Sequence, residues 1–71
     1  MNMTPVRSSN LASVGYDENS RTLYVSFRNG RLYKYSGVSL QIYKGLMSTS
    51  SKGQYFDRYI VKAGYSYQRV N

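Results

Sequence analysis

The sequence predicts an α+β fold: a small, curved antiparallel sheet with two short helices inserted before its last strand, in the order β-β-β-α-α-β. Three observations predict it. Apolar and polar residues alternate from Thr22 to Arg28 and run into Asn29-Gly30. Two segments beyond Gly37 carry apolar residues at helical spacing. The chain then returns to a strand-like aromatic run, Tyr65 to Val70. Runs of strands separated from runs of helices define this class.

A tail of about eight residues, 1–8, is expected to be extended or flexible. Leu11 to Tyr16 forms a short, partly apolar strand that ends at the turn run Asp17-Glu18-Asn19-Ser20. In the next strand Leu23, Val25 and Phe27 fall on one face, with Tyr24, Ser26 and Arg28 on the other. Asn29-Gly30 is a strong hairpin signal, because a type I′ turn needs positive φ at both central residues. Arg31 to Tyr35 is then the returning strand. Gly37 breaks it, and Ser39 is placed to cap a helix whose stripe is Ile42, Tyr43, Leu46 and Met47, with Val38 leading in. Gly45 inside that helix costs about 1 kcal/mol relative to alanine, and its missing side chain admits close approach by another element. Ser51 with Gln54 has the form of a capping box opening a second helix, with Tyr55, Phe56, Tyr59 and Ile60 as its apolar face and Gly64 as its stop.

Seventy-one residues make a single domain, 1–71, with a thin stability margin and no cysteine to staple it. Nine tyrosines and two phenylalanines supply the bulk of the core. No apolar run approaches the roughly 20 residues of a membrane span, so no membrane association is expected. Met1 to Pro5 has neither a basic nor an apolar leader region, and a cytoplasmic location is the default expectation. Ten Lys and Arg against three acids leave a net charge of +7, a field that draws polyanions. It also serves plain solubility.

A two-residue Asn29-Gly30 turn would pair Arg28 with Arg31, Phe27 with Leu32, Ser26 with Tyr33, Val25 with Lys34 and Tyr24 with Tyr35. One hairpin face is then Leu23, Val25, Phe27 and Leu32, and the other Tyr24, Tyr33, Tyr35, Arg28 and Arg31. Lys34 is the misfit, since this register sends it to the core side. Tyr65, Tyr67 and Arg69 extend the second face if the last strand joins the sheet. Tyrosines interleaved with arginines suit single-stranded nucleic acid: rings stack bases at about 1–3 kcal/mol each and guanidinium groups hold phosphates. The structural alternative is that the same tyrosines pack under a helix or in a subunit interface.

Catalysis lacks parts. No His or Cys is present, Asp17 and Glu18 are neighbours in a turn, and no Walker-type or G-x-G-x-x-G phosphate loop occurs. No catalytic residue, metal site or cofactor is expected. Ser51-Lys52-Gly53 offers an anion-friendly helix start as a weak candidate, with ordinary capping by Ser51 as the competing reading.

In order and spacing these residues resemble the KTSC domain family, named for its occurrence at the C-terminus of some lysyl-tRNA synthetases. The resemblance runs from Val6 through Ser8-Ser9, Gly15-Tyr16-Asp17, Leu23 to Phe27, and Gly30 with Tyr33-Lys34-Tyr35. It continues through Val38, Tyr43 and Leu46, the segment Ser51-Lys52-Gly53-Gln54-Tyr55-Phe56, and Tyr65 to Arg69. Ser39 departs from it, standing where proline is expected after the valine. The resemblance implies a small domain of bacteria and phages, found alone or as a synthetase appendage, with RNA binding suggested by that fusion. It brings no catalytic residues. By analogy of element order, it also implies a partly closed barrel of SH3 or Sm type.

The leading expectation is a non-enzymatic module binding RNA or single-stranded DNA, with Tyr24, Tyr33 and Tyr35 stacking bases and Arg28, Arg31, Lys34 and Lys52 neutralising phosphates. A protein–protein module, acting for instance on a host factor, and a self-associating domain are the alternatives.

Overall fold

The computed structural model describes residues 2–71. Its five-stranded antiparallel sheet comprises β1 (Thr4–Pro5), β2 (Leu11–Asp17), β3 (Thr22–Phe27), β4 (Leu32–Ser36) and β5 (Tyr67–Arg69), hydrogen-bonded in that sequential order. Helices α1 (Leu40–Ser48) and α2 (Lys52–Phe56) lie between β4 and β5, and α2 runs on as a π-helical segment, Asp57–Val61. The order matches expectation with one addition: the N-terminal tail pairs as the short edge strand β1. The sheet stays open, with β1 and β5 at its two edges, so the partial-barrel analogy finds no closure.

A bulge at Ala12 builds the core face of β2. Leu11 opposes Phe27 and Val14 opposes Val25, with the register shifting between Leu11 and Ser13. Residues three apart in a regular strand point to opposite faces; the extra residue puts Leu11 and Val14 on the same one, both fully buried. Leu23 and Val25 continue that face on β3, while Val38, Leu46, Phe56 and Ile60 close over it from the helical layer. Each fully buried aliphatic residue of this set contributes about 1.5–3 kcal/mol.

The hairpin register is where sequence reasoning goes wrong. Phe27 pairs with Arg31 through its N–H (2.8 Å) and accepts from the Gly30 N–H (2.9 Å). The connection is therefore three residues, Arg28-Asn29-Gly30: a type I turn closed by Gly30 at φ +90°. Asn29 does not take the positive φ that a type I′ turn demands, since Arg21 is the one described non-glycine residue that does. The slip of one residue places Tyr33 opposite Val25, Lys34 opposite Tyr24 and Tyr35 opposite Leu23. Because side chains alternate with period two, Tyr33 and Tyr35 turn toward the helices and Lys34 turns away. Keeping Lys34 off the apolar face avoids burying an unpaired ammonium.

Helix α1 starts as expected, with Ser39 Oγ accepting from the Ile42 N–H at 3.2 Å. Tyr16 stacks on Tyr43 with ring centroids 4.7 Å apart, and its hydroxyl donates to the Val38 carbonyl. At α2 the expected capping box does not form, and the Ser51 side chain makes no cap bond. Lys52 Nζ instead donates to the Met47 and Thr49 carbonyls (3.3 and 2.6 Å), satisfying the end of α1. Gly45 does admit a close neighbour: the Tyr55 ring lies over it, and the Tyr55 hydroxyl donates to the Ile42 carbonyl at 3.1 Å. Gly64, at φ +84°, ends the helical run.

Candidate ligand-binding cleft

The helical layer leaves the β4–β5 side of the sheet open. β5 reaches β4 only after both helices, pairing Tyr33 with Arg69, Lys34 with Gln68 and Tyr35 with Tyr67. Directly opposed residues share a face, so Tyr33, Tyr35, Tyr67 and Arg69 all lie on the helix side. The rings assemble there around Phe56 of α2. Tyr35 meets Phe56 edge-on at 5.4 Å and Phe27 meets it at 5.6 Å. Tyr67 stacks on Tyr35 at 5.5 Å and leans on Tyr33 at 6.0 Å, and Tyr33 abuts Phe27 at 5.7 Å.

Between these rings and Val61 of the π segment lies a cleft of about 400 Å³, with Asn29 and Arg31 at its turn end. Its floor is buried and its wall is wet: Tyr35 is 7% exposed, against 65% for Tyr67 and 48% for Val61. Burial holds the Tyr35 phenol above its ordinary pKa, with the nearby Tyr33 and Tyr67 phenols adding to the effect. It therefore stays an uncharged hydrogen-bonding group at neutral pH. Asn29 Oδ1 accepts from the Arg31 N–H at 3.0 Å, which fixes the amide at the rim.

Of the residues picked from the sequence, Arg31, Tyr33 and Tyr35 come together in this cleft, and Tyr67 and Arg69 share their face, which is the helix side of the sheet and not the outer face expected with Tyr24. Tyr24 and Lys34 oppose each other on the other side of the sheet, away from it. Arg28 projects from the turn, and its Nε donates to the Ser8 carbonyl at 2.7 Å. Lys52 is held by the carbonyls at the end of α1. Phe27 and Phe56, which the sequence places on the core face and on a helix face, belong to the cleft as well, and so does Val61, which no sequence pattern singles out. The pull of Phe56 and Val61 toward a β-edge is non-local and leaves no trace in local periodicity.

Charge is polarised along the hairpin. Arg28, Arg31 and Arg69 lie toward the β3–β4 turn, while Asp17, Glu18 and Arg21 lie at the β2–β3 turn at the far end of β3, where acids outnumber bases by one. Six strand residues separate the two ends, roughly 20 Å at strand rise. Asp57, the third acid, pairs with Lys62 at 3.2 Å on the surface. Among the described residues no group of three His, Cys, Asp or Glu side chains is placed to hold a metal. No helix among them is long and apolar enough to cross a membrane.

Two sequence segments of the resemblance meet elsewhere, in a shallow pocket of about 230 Å³ where Arg7–Ser9 faces Ser50–Gln54. Their contact is structural. Ser8 Oγ accepts from the Asn10 and Leu11 N–H groups (3.3 and 3.2 Å) and donates to Asn10 Oδ1. A Cβ at Gly53 would lie 3.0 Å from that oxygen, so glycine lets α2 close onto the loop.

A small antiparallel sheet under two helices, with an aromatic cleft at one edge and a cationic turn beside it, defines a compact α+β domain. The KTSC domain model matches residues 7–70, and the chain belongs to the KTSC domain family. A crystal structure of a KTSC domain protein from Yersinia pestis superposes with a TM-score of 0.91 at 34% identity, covering 99% of this chain and 97% of that one. An uncharacterized protein of Stutzerimonas stutzeri strain A1501 is 32% identical over the full length of both chains. Lysine–tRNA ligases of Trichormus variabilis and a Nostoc species are 34% identical over 56 residues. That match takes in 79% of this chain and only 10% of each ligase.

Proposed function

We propose that this domain is a non-enzymatic module that binds single-stranded nucleic acid, RNA foremost, in the cleft between β4–β5 and the π segment. The carrying observation is the exposed Tyr67 ring, propped on Tyr35 and Tyr33 beside Arg31 and Arg69. A base stacked on Tyr67 and Tyr33 leaves its phosphates within reach of the two guanidinium groups, the arrangement that sequence-tolerant single-strand binders use. The net charge of +7 supports a polyanion. The related segment within lysine–tRNA ligases sits in proteins whose substrate is RNA, which favours RNA over DNA. In this reading Tyr24, Lys34 and Lys52 play no direct part and Arg28 contributes only field.

Fluorescence anisotropy with labelled 12-mer RNA and DNA pools tests the reading. Tyr67→Ala should weaken binding by roughly 5- to 150-fold, the equivalent of about 1–3 kcal/mol of stacking. Tyr24→Ala, on the opposite face, should leave it within about twofold. Affinity should fall with salt at a slope of roughly −0.7 per neutralised phosphate. Absence of wild-type binding, or equal loss from Tyr67→Ala and Tyr24→Ala, overturns the assignment. Nuclease-resistant capture of a single protein would transfer the same Tyr-and-Arg face to a protein partner.

A further inference from the structure

We infer that β5 pairs with β5 of a second copy of this chain, joining two sheets edge to edge about a two-fold axis at Gln68. The inference is independent of the nucleic-acid reading, because it rests on the backbone of the free edge. Ser36 donates to Ser66 and Val70 donates to Leu32, each at about 2.8–2.9 Å. In an antiparallel ladder the bonded positions alternate. Ser66, Gln68 and Val70 therefore direct their backbone groups toward β4, and Tyr67 and Arg69 direct theirs outward. The edge thus presents two N–H and two C=O groups at positions 67 and 69; β5 carries no proline or bulge, and its guards are its three-residue length and the single charge of Arg69.

Only certain registers satisfy such an edge. Centring the two-fold on Gln68 sets Tyr67 against the partner's Arg69 and Arg69 against the partner's Tyr67, and all four outward pairs of groups bond. Each guanidinium then meets a phenol ring and no other cation, a favourable pairing for both. A two-fold perpendicular to the sheet keeps both helical layers on the same side. The exposed Tyr67 and Val61 of each copy are thereby brought toward the joint. Three residues a side place the contact at the small, transient end of interface sizes. Association is therefore expected over a concentration series rather than at a single dilute point.

The absence of native cysteine makes the register directly readable. Across the joint Gln68 faces its own copy at a non-bonded pair, with Cα atoms about 4.5 Å apart. That separation lies inside the disulfide range of about 4.4–6.8 Å. Gln68 is exposed and its side chain lies on the outer face, so Gln68→Cys leaves core and cleft intact. In Ser66→Cys the two thiols would sit roughly 13 Å apart along the paired strands. Under mild oxidation Gln68→Cys should form covalent dimer at least about tenfold faster than Ser66→Cys, by the separation limit on disulfides. Wild-type mass in sedimentation equilibrium should rise with concentration. Arg69→Pro, which removes an outward N–H and no bond to β4, should return it to that of the monomer. A monomeric mass across the series, or cross-linking of Gln68→Cys no faster than of Ser66→Cys, overturns the inference. A dimer that forms without preferential Gln68→Cys cross-linking overturns it equally, since another surface would then be responsible.

Discussion

Gly45→Ala offers a sharp test of how the helical layer is locked. A Cβ at position 45 would lie 2.7 Å from Tyr55 Cζ and closer still to its hydroxyl oxygen, a separation that forces the ring to move. In favour of the substitution stands helix propensity, about 1 kcal/mol for alanine over glycine. Against it stand the Tyr55–Ile42 hydrogen bond at 3.1 Å, about 1 kcal/mol. The contact between the Tyr55 and Tyr59 rings, 4.6 Å apart, is also lost. Overpacking adds a further 1–3 kcal/mol or so. The net loss is about 1–3 kcal/mol, or a fall in Tm of roughly 5–20 °C for a domain of this size. Urea titration followed by far-ultraviolet circular dichroism measures it. Making the same change in a Tyr55→Ala background removes the clash, so Gly45→Ala should there become neutral or stabilising. If Gly45→Ala stabilises the wild-type domain by the full propensity difference, the close-approach argument fails.

Alkaline titration gives a second check. Burial raises the pKa of Tyr16, Tyr35 and Tyr55 in the folded state, with the Arg21 charge partly opposing the rise at Tyr16. A raised folded pKa leaves stability whole below the unfolded value of about 10 and removes it as pH climbs through the folded value. Stability should therefore fall above pH 10 or so, and Tyr35→Phe should make that fall shallower in chemical denaturation at stepped pH. Lys52→Met should cost about 1 kcal/mol by orphaning the Met47 and Thr49 carbonyls. Its effect on oligonucleotide affinity should be small beside that of Tyr67→Ala, and a comparable effect would restore Lys52 to the site.

Local sequence carries the fold well wherever a single residue type has one physical job. Ser39 caps α1, Gly45 receives Tyr55 and Gly64 stops the helical run, each as its chemistry requires. Asn29-Gly30 announces a hairpin but not its length, because a type I turn with glycine alone at positive φ uses the same dipeptide. That ambiguity is worth one residue of register, and one residue exchanges the faces of Tyr33, Tyr35 and Lys34. Lys34 held the answer: a lysine among Leu23, Val25 and Phe27 is the mark of a wrong register, and shifting by one removes it. The cleft is less legible, since Phe56 reaches Tyr35 across the helical layer and Tyr67 reaches Tyr35 across the whole helical insertion. Such encounters are set by tertiary packing and not by any period in the chain. At Ser51 the N–H that Gln54 would take in a capping box already donates to Thr49 Oγ1 at 3.1 Å.

Inserting both helices between β4 and β5 has an effect on how the cleft comes and goes. Its outer wall is a strand of three residues that follows β4 only after the whole helical insertion, residues 37–66, so holding it in place carries the entropy of closing that loop. The Asn71 side chain ties it down, bonding the Gly30 carbonyl (2.7 Å) and the Leu32 N–H (2.9 Å). Fraying of this short strand would dismantle the cleft while Leu23, Val25, Leu46 and Ile60 stay packed. Occupancy of the cleft and order in the last strand are thereby coupled: whatever binds there also fastens the terminus.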